Sequence, residues 1–133
     1  MSQENVEVTR GGFDAFNRGD LDWIAERHHP AIEWTTTSED PDAGTHRGRD
    51  SVRRYFEQWM ESFSELRGEI EECFEVSDGR VFAAAHFTGR GRTSGVEMDW
   101  RLFLVYTYTD GTVLRAEEYF DRNEALEAVG LSE

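Results

Sequence analysis

Lysine is absent from this sequence: all 14 basic residues are arginine, and a single cysteine occurs among 133 residues. Without lysine, Schiff-base chemistry and a lysine general base are excluded. The lone Cys73 excludes an internal disulfide and fits a reducing compartment. No apolar run reaches the length of a membrane span, and the N-terminal MSQENVEV lacks the pattern of a signal peptide. We therefore expect a cytoplasmic protein with no membrane partner.

Positive charge is also scarce. The 14 basic residues are outnumbered by 28 acidic ones, and the formal net charge is −14. Nucleic acids and anionic membranes attract basic surfaces, so neither is expected as a partner. A high-salt habitat would also favour such a surface, and the charge alone leaves that explanation open.

Aromatic core material, in contrast, is abundant. Nine Phe, four Trp and four Tyr make up 13% of the chain. A chain of this length can bury a real core and is expected to form one domain over residues 1–133. No repeat, low-complexity tract or linker divides it.

Three helices are predicted in the first half of the chain. Ser2 to Asn17 is the first, and a short second helix begins after the N-cap Asp20 and is closed by Pro30. Asp50 to Phe63 has the clearest helical pattern, because its apolar residues recur at i, i+3, i+4, i+7 and i+11. Helices therefore precede most of the strands.

Strands make up most of the rest. The β-branched and aromatic stretch from Ala31 to Thr37 is predicted as the first strand, and a loop over Ser38–Gly48 follows it. Four more strands are predicted over Glu69–Val76, Arg80–Thr88, Val96–Tyr108 and the segment that starts after Asp110-Gly111. Turns are predicted at Asp78-Gly79 and Asp110-Gly111. Early helices and late antiparallel strands indicate an α+β fold.

The last strand runs directly into a short helix. Asp121 to Glu124 has the spacing of a capping box, in which Asp121 accepts a hydrogen bond from a backbone N–H near Glu124. Gly130 and Leu131 match a helix stop in which Leu131 folds back onto Leu126. A helix is therefore predicted between Asp121 and Gly130.

This order of elements is combined with three segments: GRDSVRRYFEQW at 48–59, TDGTV at 109–113 and EEYFDRNEALEAVGL at 117–131. Together they resemble the SnoaL-like branch of the nuclear transport factor two-like superfamily, over essentially the whole chain. The resemblance implies a strongly bent antiparallel or mixed sheet wrapped around the N-terminal helices, a cone-shaped α+β barrel with a pocket inside. Relatives include ketosteroid isomerases, polyketide cyclases, limonene epoxide hydrolases and binding domains without catalysis. Function therefore has to be argued from the site.

The catalytic residues of ketosteroid isomerases are missing at the matching positions. Their base falls at Thr35, their oxyanion tyrosine at Gly12 or Phe13, and their buried acid at Leu104. None of these side chains supplies the required chemistry. Asp40 could replace the base only if its loop folds back.

Limonene epoxide hydrolases match this chain only at Asp121. Their central Arg and Asp fall near Ala85 and Phe87, and their Tyr and Asn fall near Glu33 and Thr35. Epoxide hydrolysis by the same set of residues is therefore not expected in this protein.

Strand alternation and the resemblance together predict which side chains point into the cone. On the last strand they are Leu114, Ala116, Glu118 and Phe120. On the first strand the matching parity points Glu33 and Thr35 inward and Trp34 outward, unless a bulge reverses it. The remaining predicted pocket residues are Phe16, Trp59, Phe63, Ala85, Leu104 and Tyr106.

Glu118 and Asp121 are the candidate catalytic residues. A carboxylate in an apolar cavity has a raised pKa and can act as a general acid or base near neutrality, which applies to Glu118 and also to Glu33. At the rim of the cone, in water, the same carboxylates would have no such role. Asp121 has two competing interpretations, a helix cap that accepts backbone N–H bonds and an acid that points inward.

The histidines indicate no metal site. His28 is expected to pack with the second helix, His29 and His46 to be exposed, and His86 to face the outer surface of the sheet. No pair of histidines has the spacing of a metal site, and neither a metal nor a cofactor is expected.

These observations favour a small-molecule-binding protein with a hydrophobic, polyketide- or terpene-like ligand. If the protein is an enzyme, we expect metal-free proton transfer or hydrolysis, with Glu118 or Asp121 supplying the proton. The alternative is a non-catalytic binding or dimerisation domain with a vestigial pocket, which the missing catalytic residues favour. A homodimer is expected through the partly apolar outer face of the sheet, which carries Phe103, Val105 and His86.

Overall fold

The computed structural model describes residues 2–36, 44–76 and 79–131. The helices in this part are α1 (Ser2–Asn17), α2 (Leu21–Glu26), α3 (Arg49–Ser62) and α4 (Arg122–Ala128). The strands are β1 (His28–Thr35), β2 (Thr45–Arg47), β3 (Phe63–Val76), β4 (Arg80–Gly91), β5 (Glu97–Thr109) and β6 (Thr112–Tyr119). None of these helices is long and apolar enough to cross a membrane.

The helices form close to where the sequence pattern predicts them. α1 has the predicted bounds, and α3 ends one residue early because Phe63 has an extended backbone and begins β3. Asp20 caps α2 by accepting a hydrogen bond from the backbone N–H of Trp23 at 3.1 Å. Pro30 does not close α2. It lies within β1, in the stretch where pairing with β6 is irregular and its missing N–H is tolerated.

The strands form one mixed sheet in the order β2-β1-β6-β5-β4-β3. The β1–β6 pair is parallel, and the other neighbouring pairs are antiparallel. The sheet is curved without closing on itself, and α1 and α3 pack against it. The predicted class, an α+β fold with a bent mixed sheet around the N-terminal helices, is confirmed.

Turn chemistry positions β6, the strand that carries Glu118. Asp110 and Gly111 connect β5 to β6 with positive φ values of 49° and 80°. Positive φ at both central residues is the geometry of a type I′ hairpin, as the Asp-Gly pair predicts. Residue 78 of the other predicted turn, and Asp40 with most of the predicted loop, lie outside the described residues. The described end of that loop contains β2, which the sequence pattern does not indicate.

The sheet buries apolar side chains on both of its faces. On the concave face, α1 and α3 cover a core that includes Ile32 and Val52. On the opposite face, α4 covers a second cluster that includes Phe82, Phe103 and Val105. The outward side chains behind the dimer prediction are thus largely buried within the chain itself. The outer face of the sheet therefore no longer supports a homodimer, which stays a prediction.

Candidate functional site

A cavity lies between the concave face of the sheet and helices α1, α2 and α3. Its volume of about 100 Å³ is enough for several ordered waters or for part of a small organic molecule. Half of the residues that line it are Phe, Trp or Tyr, and the phenylalanines and tryptophans among them are Phe13, Phe16, Trp23, Trp34, Phe56, Trp59, Phe87 and Trp100. Such a concave apolar surface with a few convergent polar groups is typical of small-molecule sites.

Glu118, on β6, places a carboxyl group on this wall and is only 8% exposed. Trp34 on β1 donates its indole N–H to Oε2 at 2.7 Å. The hydroxyl of Tyr55 on α3 lies 2.9 Å from both Oε1 and Oε2 and donates to the carboxylate. These hydrogen bonds stabilise the anion, whereas the apolar surroundings favour the neutral acid. The carboxyl group is therefore held in one orientation by a strand and a helix.

His28, at the start of β1, also lies on the cavity wall and is 5% exposed. Its ring centroid lies 5.9 Å from that of Trp34 and 6.0 Å from that of Phe56. Burial and, to a smaller extent, the guanidinium of Arg49 lower the pKa of His28 from 6.5 to about 4. The imidazole is therefore neutral at pH 7, with one N–H donor and one acceptor nitrogen.

Two tyrosines of β5 add phenol groups to the wall. Burial is the main reason that the pKa of Tyr106 lies well above its usual range. Burial also raises the pKa of Tyr108, whose hydroxyl lies 2.7 Å from Oγ1 of Thr9. Both phenols are therefore neutral hydrogen-bonding groups at pH 7 and not bases.

Four other predicted pocket residues share the wall with Glu118, namely Phe16, Trp59, Leu104 and Tyr106. Leu104 is the cross-strand partner of Glu118 between β5 and β6, which places the two side chains next to each other on one face. The alternation predicted for β5 accounts for this placement. Whether these residues bind a ligand stays a prediction.

The predicted orientation of the first strand is wrong. Trp34 lines the cavity, whereas Glu33 and Thr35 point to the other face. Glu33 forms an ion pair with Arg47 at 3.4 Å, and Thr35 lies within hydrogen-bonding distance of a threonine hydroxyl on β2. The β1–β6 pairing shifts register between His28 and Glu33, so the parity expected from the resemblance does not hold on this strand.

Three further predicted pocket residues lie off the cavity wall. Phe63 begins β3 and stacks on Trp59 at 5.5 Å between ring centroids, behind the wall. Ala85 is fully buried in the core, where its short side chain does not reach the cavity. Phe120 is 44% exposed, because β6 ends at Tyr119 and the alternation does not continue beyond the strand.

A second irregularity changes the start of β6. The β5–β6 pairing skips Leu114, so Val113 rather than Leu114 lines the cavity. Further along the strand, Ala116 and Glu118 are buried, as the alternation predicts. Within β6, the predicted inward side chains are therefore wrong only at Leu114, near the start of the strand.

Asp121 is a helix cap and lies outside the cavity wall. Its Oδ1 accepts a hydrogen bond from the backbone N–H of Asn123 at 2.8 Å, and the residue is exposed. The bond comes from Asn123 rather than from Glu124, but the capping prediction holds. The interpretation of Asp121 as an inward acid is contradicted, because an exposed carboxylate at this helix start does not face the cavity.

Sequence reasoning missed three side chains at the polar part of the cavity: Trp34, Tyr55 and His28. The signal for Tyr55 was its inward position on α3, since a buried tyrosine hydroxyl usually needs a hydrogen-bond partner. Trp34 was assigned to the outer face because the parity taken from the resemblance does not hold on β1. His28 lies beyond the end of α2, so the helical period that suggested packing with that helix does not apply to it.

Where the structure describes the chain, no group of three or more His, Cys, Asp or Glu side chains could hold a metal ion. The acid–base groups of the cavity instead converge on one indole. Glu118 accepts the N–H of Trp34, and the His28 ring lies beside the Trp34 ring. This arrangement provides a carboxyl group and a neutral imidazole in an apolar surrounding.

The SnoaL-like domain family matches residues 9–116, and the chain belongs to this family. No curated protein matches the sequence. Bal32a, from a soil-derived mobile gene cassette, has a similar structure, with 24% identity, a TM-score of 0.83 and an alignment over 96% of this chain and 97% of that one. These values show a shared fold.

Two other similar structures contain small molecules. TerC, co-crystallised with polyporic acid, is 21% identical with a TM-score of 0.76 over 95% of this chain and 97% of that one. A protein of ketosteroid isomerase-like fold from Catenulispora acidiphila, in complex with trimethylamine, is 11% identical with a TM-score of 0.76 over 94% of this chain and 93% of that one. The fold therefore accepts different ligands and does not specify one.

Proposed function

We propose that this protein binds a predominantly apolar small molecule in the cavity and that Glu118 transfers a proton to or from it. The observation that carries the proposal is the placement of Glu118. It is the one carboxylate among the described residues that line the cavity, and its neighbours on the wall are mostly aromatic or aliphatic.

The surroundings of Glu118 suit acid–base chemistry. A general base must be held within hydrogen-bonding reach of the proton that it removes. Trp34 and Tyr55 hold both carboxylate oxygens in place. The mostly apolar wall lowers the local polarity, which strengthens the interaction of the carboxylate with a ligand.

The ligand class is argued from the wall. Stacked and edge-on rings line the cavity, and aromatic surfaces bind flat or bulky apolar molecules by area and by ring contacts. The organic ligand named for TerC is consistent with such a class by analogy of fold alone. A hydrophobic, polyketide- or terpene-like molecule remains the proposed ligand.

The first test measures binding and proton transfer separately. N-phenyl-1-naphthylamine, a neutral dye that fluoresces in apolar sites, reports binding. The probe 5-nitrobenzisoxazole reports proton transfer: when a base removes the C3–H proton of its isoxazole ring, the N–O bond breaks and a coloured cyano-nitrophenolate forms. Glu118→Gln should keep dye binding and lose about 100-fold in the ring-opening rate, within the range for a general base.

Glu117→Gln is the matched control, since Glu117 lies on the same strand and faces the other side of the sheet. It should leave both readouts unchanged. A wild-type ring-opening rate no higher than that of Glu118→Gln would reject the proton-transfer role. Failure of the wild-type protein to bind the dye would reject the binding function.

A non-catalytic binding domain is the second candidate, and one observation favours it. Both oxygens of Glu118 already accept hydrogen bonds from fixed side chains, so the group also ties β1 and α3 to β6. In that case Glu118→Gln would lower the free energy of unfolding, and no variant would change a ring-opening rate that is already at the level of buffer.

A further inference from the structure

We propose that His28 is a second ligand-contacting residue of the cavity, whose imidazole hydrogen bonds with an uncharged oxygen of the bound molecule. This inference rests on the proposed function, because it assigns a further contact to the same ligand. It also narrows the ligand class to apolar molecules with at least two hydroxyl or carbonyl oxygens, one for Glu118 and one for His28.

The imidazole of His28 has hydrogen-bonding capacity that the described part of the chain does not use. Among the described residues, no hydrogen bond involves a ring nitrogen of His28. Its backbone carbonyl accepts one from Nε of Arg49 at 2.6 Å. Yet the residue is 5% exposed and lines the cavity. Neither ring nitrogen is a fully buried atom, so each borders open space, and on the cavity wall a ligand oxygen can supply the missing partner.

The ring of His28 is held in place by its neighbours. Trp34 and Phe56 lie against it, with ring planes tilted by 42° and 71°. The hydrogen bond from Arg49 fixes the backbone at the same residue. A group whose orientation is set before binding loses little conformational freedom when the ligand arrives.

The charge state of His28 indicates which partner it suits. With a pKa lowered to about 4, mainly by burial, the ring is neutral at pH 7 and offers one N–H donor. A neutral imidazole can donate to a carbonyl or hydroxyl oxygen without carrying charge into an apolar site. An anionic ligand would instead face the carboxyl group of Glu118.

Arg27 also lies on the cavity wall, where its guanidinium contacts another wall residue, Trp23. Its guanidinium carbon lies 3.7 Å from the ring centroid of Trp23, and its Nη1 donates to the Trp23 carbonyl at 2.9 Å. An ion pair with Glu26 at 3.7 Å adds to these contacts. The positive charge is therefore engaged at the wall, and neutral ligand oxygens fit the site best.

Three probes of the same ring system test the proposal: naphthalene, 2-naphthol and 2,6-dihydroxynaphthalene. Their affinities are measured by displacement of N-phenyl-1-naphthylamine from the wild-type protein and from His28→Phe. Phenylalanine keeps an aromatic ring between Trp34 and Phe56 but removes both nitrogens. His86→Gln, on the outer face, is the control, because glutamine can keep the contact with Asp99.

In the wild-type protein, the second hydroxyl should tighten binding about five-fold, as one net hydrogen bond does. His28→Phe should lose this gain while its affinity for naphthalene is unchanged, and His86→Gln should behave like the wild type. Retention of the gain by His28→Phe would overturn the assignment of His28 and leave the proposed function standing. No dye binding by the wild-type protein would overturn both.

A measurement on the wild-type protein keeps the proposal testable if His28→Phe does not fold. The ring ¹⁵N resonances of His28 should shift on addition of 2,6-dihydroxynaphthalene and should move much less with naphthalene. Equal shifts with the two probes, or none with either at saturation, would overturn the assignment of His28.

Discussion

The two faces of β5 are both largely buried from Leu102 onward, yet they are built differently. On one face, Phe103 and Val105 pack with Phe82 and α4 in a cluster of apolar side chains. On the other face, the side chains border a cavity that also carries Glu118 and His28. Buried polar groups cost free energy unless they are hydrogen-bonded, so a face built only for stability would not need them. The filled face stabilises the fold, and the unfilled face is where a ligand is to be sought.

The largest effect is expected from Phe82→Ala on the filled face. Phe82 is fully buried and stacks near Phe74 and Phe103. Truncation should lower the free energy of unfolding by about 3–5 kcal/mol, through lost burial and an added cavity. Denaturant unfolding measures the loss, and Phe82→Leu should lose less. Dye binding by the folded fraction should be unchanged; impaired binding would show that the two faces are not independent.

Acid should lower the free energy of unfolding, because His28 on the unfilled face takes up a proton more readily in the unfolded state. Its folded-state pKa of about 4 lies below the unfolded value of 6.5, so the unfolded state binds the extra proton between these values. Stability therefore falls as the pH drops from 6.5 to 4, by up to about 3 kcal/mol for this group. The nearby positive charge of Arg49 acts in the same direction. The free energy of unfolding of the wild type minus that of His28→Phe should show this slope; parallel pH curves would contradict it.

Two adjacent glycines of α1 offer a sharper comparison. A Cβ on Gly11 would lie 2.5 Å from the Trp23 ring, whereas a Cβ on Gly12 meets nothing within 4 Å. Gly12→Ala should gain about 1 kcal/mol from helix propensity. Gly11→Ala should lose about 1 kcal/mol net, because overpacking outweighs the same gain. Thermal unfolding of the two variants side by side tests this; equal stabilities would mean that Trp23 moves aside freely.

The smallest effect is expected at Asp121. Asp121→Ala removes the side-chain acceptor for the Asn123 N–H and should lower the free energy of unfolding by about 1 kcal/mol. Asp121→Asn, which keeps a capping oxygen, should lose less. Ring opening of 5-nitrobenzisoxazole should be the same for both variants and the wild type. A fall in that rate with unchanged stability would restore a chemical role for Asp121.

Apart from β2, the order of elements could be predicted from the sequence, as could the bounds of α1 and the inward position of Glu118. Each depends on a regular period: 3.6 residues in the helix and two in the strand. The errors at Glu33, Thr35 and Leu114 arise beside irregularities in strand pairing, where the face of a side chain no longer follows from spacing alone. Phe120 was assigned inward although the adjacent cap signal already marked the end of the strand.

The polar contacts of the cavity could not be predicted in the same way. Glu118 meets Trp34 and Tyr55 across 84 and 63 residues of chain. No local period specifies such contacts, because they depend on the curvature that brings β1, β6 and α3 together. A pattern can assign a face to each strand, but the partners across the cavity follow only from the tertiary fold.

The parallel pairing of β1 with β6 has a consequence for folding. β1 emerges early in synthesis, yet its neighbour on one side is a strand that follows more than 75 residues later. Contacts between distant parts of the chain form slowly, because the intervening loop must close before they are gained. The carboxyl group, the indole and the imidazole therefore come together only when the rest of the sheet is in place. Assembly of the cavity would then be a late folding event, and a nascent chain without β6 would expose Trp34 to premature association.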